Sequence, residues 1–245
     1  MLLRLGRKTS IVSFGKVLSD VQLPRLRAPR LYDMQTQHDR TNVIAEATLP
    51  EALSKNNIPL SVPADGHCLH HSVHRLVSGE YLTPGISDPI ALWRIRIAKE
   101  MFENSEDYLS CSFLDRGLSA GVNVCNTVLR FISYTDMFQK EHYNMSKFSG
   151  EEGAANRRLV FEREIMGQMK GYCGLWTLAA LACVLDRPVR SIFPAYTDTS
   201  LVADYNRVFL PRTQKGKGRD PVLLLWTTNQ ASKGVVDHFA PVVRK

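Results

Sequence analysis

Residues 174–185, GLWTLAALACVL, are apolar on nearly every side of a helical wheel. A helix of that kind is buried between layers rather than laid on a surface, so the rest of the chain has to supply elements on both sides of it. Pro188 stops it, and VRSIF (189–193) then reads as a short strand. The last fifty residues change period: PVLLLWTT (221–228) and VVDHFAPVV (235–243) are rich in branched and aromatic residues, and NQASKG with its terminal glycine separates them. That pattern predicts a β-hairpin.

Upstream the periodicity is helical. Leu69, Val73, Leu76 and Val77 form one apolar stripe of a helix that starts at Cys68 and ends at Gly79. His67, His71 and His74 gather on its opposite face, which is expected to be solvated. PIALWRIRIAKEMFE (89–103) predicts a second helix through Ile90, Trp93, Ile97 and Met101, and residues 124–140 a third. Residues 141–168 are polar and are expected to be loop-rich. Helices first and paired strands last point to an α+β fold, with helices packed on a small, mostly antiparallel sheet.

The first thirty residues crowd Arg4, Arg7, Lys8, Lys16, Arg25, Arg27 and Arg30 against the single acid Asp20. Residues 1–60 are therefore read as a basic, partly disordered extension with one helix near 43–54, and residues 61–245 as the folded domain. A transit peptide is the less favoured reading, because Gly6 and Gly15 break any amphipathic helix there. The net charge of +7 is otherwise diffuse, and nucleic acid is not the expected partner. The basic loop RTQKGKGRD (212–220) lacks interleaved aromatics and reads as solvated. No apolar run approaches the ~20 residues a membrane helix needs, so no membrane association is expected.

Five cysteines, Cys68, Cys111, Cys125, Cys173 and Cys183, are an odd number without a C-x-x-C pair. A disulfide framework or zinc ribbon is not suggested, and an intracellular setting, cytoplasmic or nuclear, is expected. Four of them are read as core residues. Cys68 is different, because it stands in VPADGHCLHH (62–71), directly after Asp65-Gly66-His67 and at the start of a helix. A thiol attacks a carbonyl as thiolate, and a helix N-terminus near an imidazolium lowers its pKa. The Asp65-Gly66 turn would offer main-chain N–H groups to an oxyanion, and His238, far downstream in DHFAPV, is a candidate base. A metal site at His67, Cys68, His71 and His74 lacks a second ligand cluster, so neither metal nor cofactor is expected.

These blocks carry a resemblance. DGHCLHHSVHRLVSG resembles the cysteine signature of the ovarian tumour (OTU) family of cysteine proteases; YCGLWTLAALACVLDRPVRSIF is similar to that family's central helix and strand, and DHFAPV to its histidine motif. The resemblance implies a papain-like α+β deubiquitinase, a thiol hydrolase that cleaves isopeptide bonds at the C-terminus of ubiquitin. Ubiquitin or ubiquitinated proteins would be its partners, Cys68 its nucleophile, His238 its base and Asp65 the acid that shapes the oxyanion loop. Family members often place Asn or Asp two residues after the histidine, on the same strand face. Here that position is Ala240, so Asp65, Asn229 or a main-chain carbonyl would have to orient His238. Ala240→Asn is accordingly expected to raise turnover and leave stability unchanged. The alternative implied by Ala240 is a catalytically weak or inactive OTU-like binding module, derived from a mobile element or embedded in a larger protein.

Overall fold

The computed structural model describes residues 11–23, 41–85, 87–110, 150–168, 173–194, 205–228 and 236–245. In chain order these carry α1 (Ile11–Asp20), α2 (Val43–Thr48), α3 (Glu51–Ser54), β1 (Asn57–Pro59), α4 (Cys68–Ser78), α5 (Asp88–Glu103) and α6 (Ser105–Leu109). They continue with α7 (Gly150–Gly167), α8 (Leu175–Leu185), β2 (Val189–Ile192), β3 (Val208–Phe209), α9 (Gln214–Lys217), β4 (Val222–Thr227) and β5 (His238–Arg244). The expected third helix at 124–140, Cys111, Cys125 and the whole NQASKG turn with Asn229 lie outside the described residues.

The strands form one sheet in the order β1-β5-β4-β2-β3. β5 is antiparallel to both β1 and β4, and β2 is antiparallel to β3, while β2 and β4 run parallel. The fold is α+β, as its sequence pattern implies. One sheet face carries Phe239, Val243, Leu224 and Val222 into a core with α4, α5, α7 and α8. The other face sets Leu225, Ala240, Val242 and Ile192 against Ala45 and Leu49 of the α2 region. α8 is closed in on the first face: Leu178, Ala180, Leu181 and Ala182 have no exposed surface, as their unbroken apolar run requires. Among the described residues no helix is long and apolar enough to cross a membrane.

Three expectations change. Residues 150–167 are helical rather than loop-rich, because the segment has no proline and is rich in helix-forming Glu, Ala and Arg. Among the described side chains of this segment a narrow stripe is buried, Phe161, Glu164 and Ile165 with Gln168 just past the helix end, so its apolar period is weak. The histidine face of α4 is not solvated: every residue from Leu69 to Leu76 is buried. The preceding loop and the segment after Gly79 fold over it, through His71 with Asp65, His74 with Glu80, and Arg75 over the Tyr81 ring at 5.3 Å. Finally, the segment expected to lie in an extension reaches the domain. β1 pairs with β5 through Asn57↔Arg244 to Pro59↔Val242, and the helix expected near 43–54 is two short helices, α2 and α3, divided at Leu49-Pro50.

The basic loop 212–220 is docked on acidic partners. Arg212 pairs with Glu100 at 2.5 Å and Arg219 with Asp186 at 3.2 Å, while the Thr213 hydroxyl donates to Asp186. Asp186 holds the left-handed conformation that ends α8 (φ 50°), and a Cβ at Gly216 would stand 2.5 Å from its Oδ1. Arg219 and Thr213 thus close the end of α8 through Asp186, while Arg212 ties the loop to α5 and α6.

Candidate active site

Asp65 organises the approach to α4. Its Oδ1 accepts the His67 N–H at 2.9 Å, a local turn that aspartate favours, and Gly66 supplies the positive φ of 84° at the bend. Its Oδ2 accepts the Gly85 N–H at 2.6 Å and meets His71 Nε2 at 3.0 Å. One carboxylate therefore ties together the loop, the second turn of α4 and the segment beyond Gly79. Burial acts to raise its pKa, but the Gly85 and His67 N–H groups and the His71 ring outweigh that and hold the carboxyl below its ordinary value.

Cys68 is the first residue of α4, half-buried, and follows an N-cap, His67, whose side chain makes no capping bond. The helix meets β5 at the residue after His238: the Ser72 hydroxyl donates to the Phe239 carbonyl at 3.3 Å, and the Phe239 and Leu69 N–H groups favour a thiolate at Cys68. Burial exceeds that help, Asp65 and Asp237 add to it, and the thiol is pushed up to about 11. Cys68 is therefore protonated at neutral pH until a base takes its proton. Its alkylation by iodoacetamide, followed by peptide mass spectrometry, should quicken about tenfold per pH unit above neutrality and level off only near pH 11. A plateau already at pH 7 would show that the resting site holds a thiolate.

His238 opens β5 and is 3% exposed. Burial lowers its pKa, with Asp237 and Asp65 opposing and His71 reinforcing, so the resting imidazole is neutral and able to accept a proton. Asp65 and Asp237 act electrostatically on both Cys68 and His238, which places the three expected site residues in one neighbourhood. Asp65 is committed to His71 and two main-chain donors, the role of a loop-shaping acid. Ala240 has no exposed surface and sits in the apolar cluster under α2.

Sequence reasoning did not find the polar network behind the site. Glu164 Oε1 accepts the Gly174 N–H at 3.0 Å, the Thr177 N–H at 2.9 Å and the Thr177 hydroxyl at 2.6 Å. Gln168 donates to Thr177 Oγ1 at 2.7 Å and meets His70 Nε2 at 3.2 Å, and Arg94 Nε donates to the Gln168 carbonyl. Burial drives His70 down to about 3, so it is a neutral core histidine. Cys173, at the start of α8, is pushed well up, by burial first and then by Cys68, which sets the two thiols near each other. Among the described residues no group of three or more His, Cys, Asp or Glu side chains is arranged to hold a metal ion.

A cysteine thus opens a helix, an aspartate-built loop precedes it, and a histidine opens the strand against which that helix packs. The family model for "Vertnin, OTU domain" matches residues 59–227, and the chain belongs to the OTU family. That match spans Cys68 and the central helix and ends at the last residue of β4, ahead of His238. Among curated proteins none matches.

Proposed function

We propose that the protein is a thiol-dependent deubiquitinase that hydrolyses isopeptide bonds at the C-terminus of ubiquitin, in the reducing interior of the cytoplasm or nucleus. The observation that carries this reading is the setting of Cys68, at the first turn of α4, behind the Asp65 loop and against the strand that His238 opens. In the proposed reaction His238 takes the Cys68 proton as the sulfur attacks the substrate carbonyl. Main-chain N–H groups at the start of α4 receive the oxyanion, since no side chain caps them. The imidazolium then protonates the departing lysine amine, and water hydrolyses the thioester with His238 again as base. A thiol that rests near 11 makes the first proton transfer costly, so slow turnover is expected.

That same resting thiol favours the second reading, an OTU domain that binds ubiquitin without cleaving it. Hydrolysis of isopeptide-linked diubiquitin separates the two. The first reading requires slow cleavage by the parent and none by Cys68→Ala. Binding to ubiquitin with no cleavage by either protein supports the second.

A further inference from the structure

On the hydrolase reading, His238 needs a group to hold its ring, and the position expected to provide one is Ala240, buried among Ala45, Leu49, Ile192, Leu225 and Val242. Asp65 is already engaged by His67, His71 and Gly85. The neighbouring strand offers a different group. Thr227, the last residue of β4, is the register partner of His238. Directly opposed residues of an antiparallel pair project from the same face, with Cβ atoms about 5 Å apart, so the Thr227 hydroxyl and the His238 ring share one side of the sheet.

Thr227 has no exposed surface, and its Oγ1 is buried without a hydrogen-bond partner. A hydroxyl left in that state carries a desolvation cost that valine, of nearly the same shape and better suited to a strand, would not incur. Nor does any side chain among the described residues hydrogen-bond to the His238 ring. A buried hydroxyl without a partner and the His238 ring therefore stand on one side of the same strand pair.

We infer that Thr227 is the positioning residue for His238: on a change of His238 side-chain torsion, Thr227 Oγ1 accepts a ring N–H and leaves the other ring nitrogen unprotonated for Cys68. A neutral hydroxyl holds a tautomer and gives an imidazolium less support than a carboxylate does, in keeping with slow turnover.

The test compares the full-length parent, Thr227→Val and Thr227→Ser. Imidazole nitrogen NMR of His238 is expected to report one dominant tautomer in the parent and in Thr227→Ser, and a mixture in Thr227→Val. Diubiquitin hydrolysis is expected to fall about tenfold in kcat for Thr227→Val, the loss of one hydrogen bond of about 1.4 kcal/mol, with KM unchanged and activity restored in Thr227→Ser. Thr227→Val should melt no lower than the parent, since it removes an unsatisfied group. An unchanged tautomer in Thr227→Val overturns the assignment, as does an equal loss of kcat in Thr227→Ser. The NMR arm needs no turnover, so a tautomer shift in a protein that cleaves nothing would leave Thr227 in place and remove only the hydrolase reading.

Discussion

Glu164→Ala is expected to destabilise the protein by about 3–5 kcal/mol, a fall in melting temperature of roughly 10 °C. The carboxylate is buried between α7 and the start of α8, where Oε1 collects the Gly174 N–H, the Thr177 N–H and the Thr177 hydroxyl. Removing it strands the buried Thr177 N–H, leaves the Gly174 N–H only Thr177 Oγ1 at 3.3 Å, and opens a hole beside them, each with its own penalty. α8 carries Trp176, Leu178 and Leu181 into the core, so loosening its first turn loosens the centre of the fold. Gly174 is part of the same contact: a Cβ there would lie 2.8 Å from both carboxylate oxygens. Burial raises the Glu164 pKa despite these three donors. A group raised on folding gives its full stabilisation below its unfolded pKa and loses it as pH climbs through the folded value. Glu164→Gln should therefore cost less than alanine and flatten that part of the stability–pH curve. Chemical denaturation of the three proteins across pH 4–8 checks both statements.

Ala240→Asn is the second large effect, and it reverses what the sequence suggests. Period 2 correctly puts residue 240 on the strand face of His238, but one step further along it, where the face is covered. α2 closes the sheet at that level, and Ala240 has no exposed surface among apolar neighbours. An amide there has to displace packed side chains and bury donors and acceptors with nothing to bond, about 3–5 kcal/mol together. Thermal unfolding should show a lower midpoint, with no gain in turnover for the folded fraction. A stable Ala240→Asn protein with faster cleavage would mean that the α2 face opens to His238.

The two cases show what was legible and why. α4, α5, α8, β2 and the β4–β5 pair follow directly from apolar period and from breakers such as Gly79 and Pro188, because each buries a face whose spacing is written in its own residues. The Cys68 loop was legible as well, since Asp, Gly and a helix start are local features. α7 was not, because a helix rich in charge whose described side chains bury one narrow stripe leaves little amphipathic signal. The burial of His67, His70, His71 and His74 was hidden for a different reason. Their covers, Asp65, Gln168 and Glu80, are loop or distant residues, and polar side chains satisfied by such partners look like surface in a one-dimensional pattern. Thr227 belongs with these, since only strand register brings it to His238.

Whether Cys68 is the nucleophile of a ubiquitin-directed site is tested most directly by an electrophilic ubiquitin C-terminal probe. The parent protein should form a single covalent adduct that maps to Cys68, slowly at neutral pH and faster as pH rises toward about 11. Cys68→Ala should form none. An adduct on Cys173 or Cys183, or none on a folded parent at any pH, would remove Cys68 as the nucleophile.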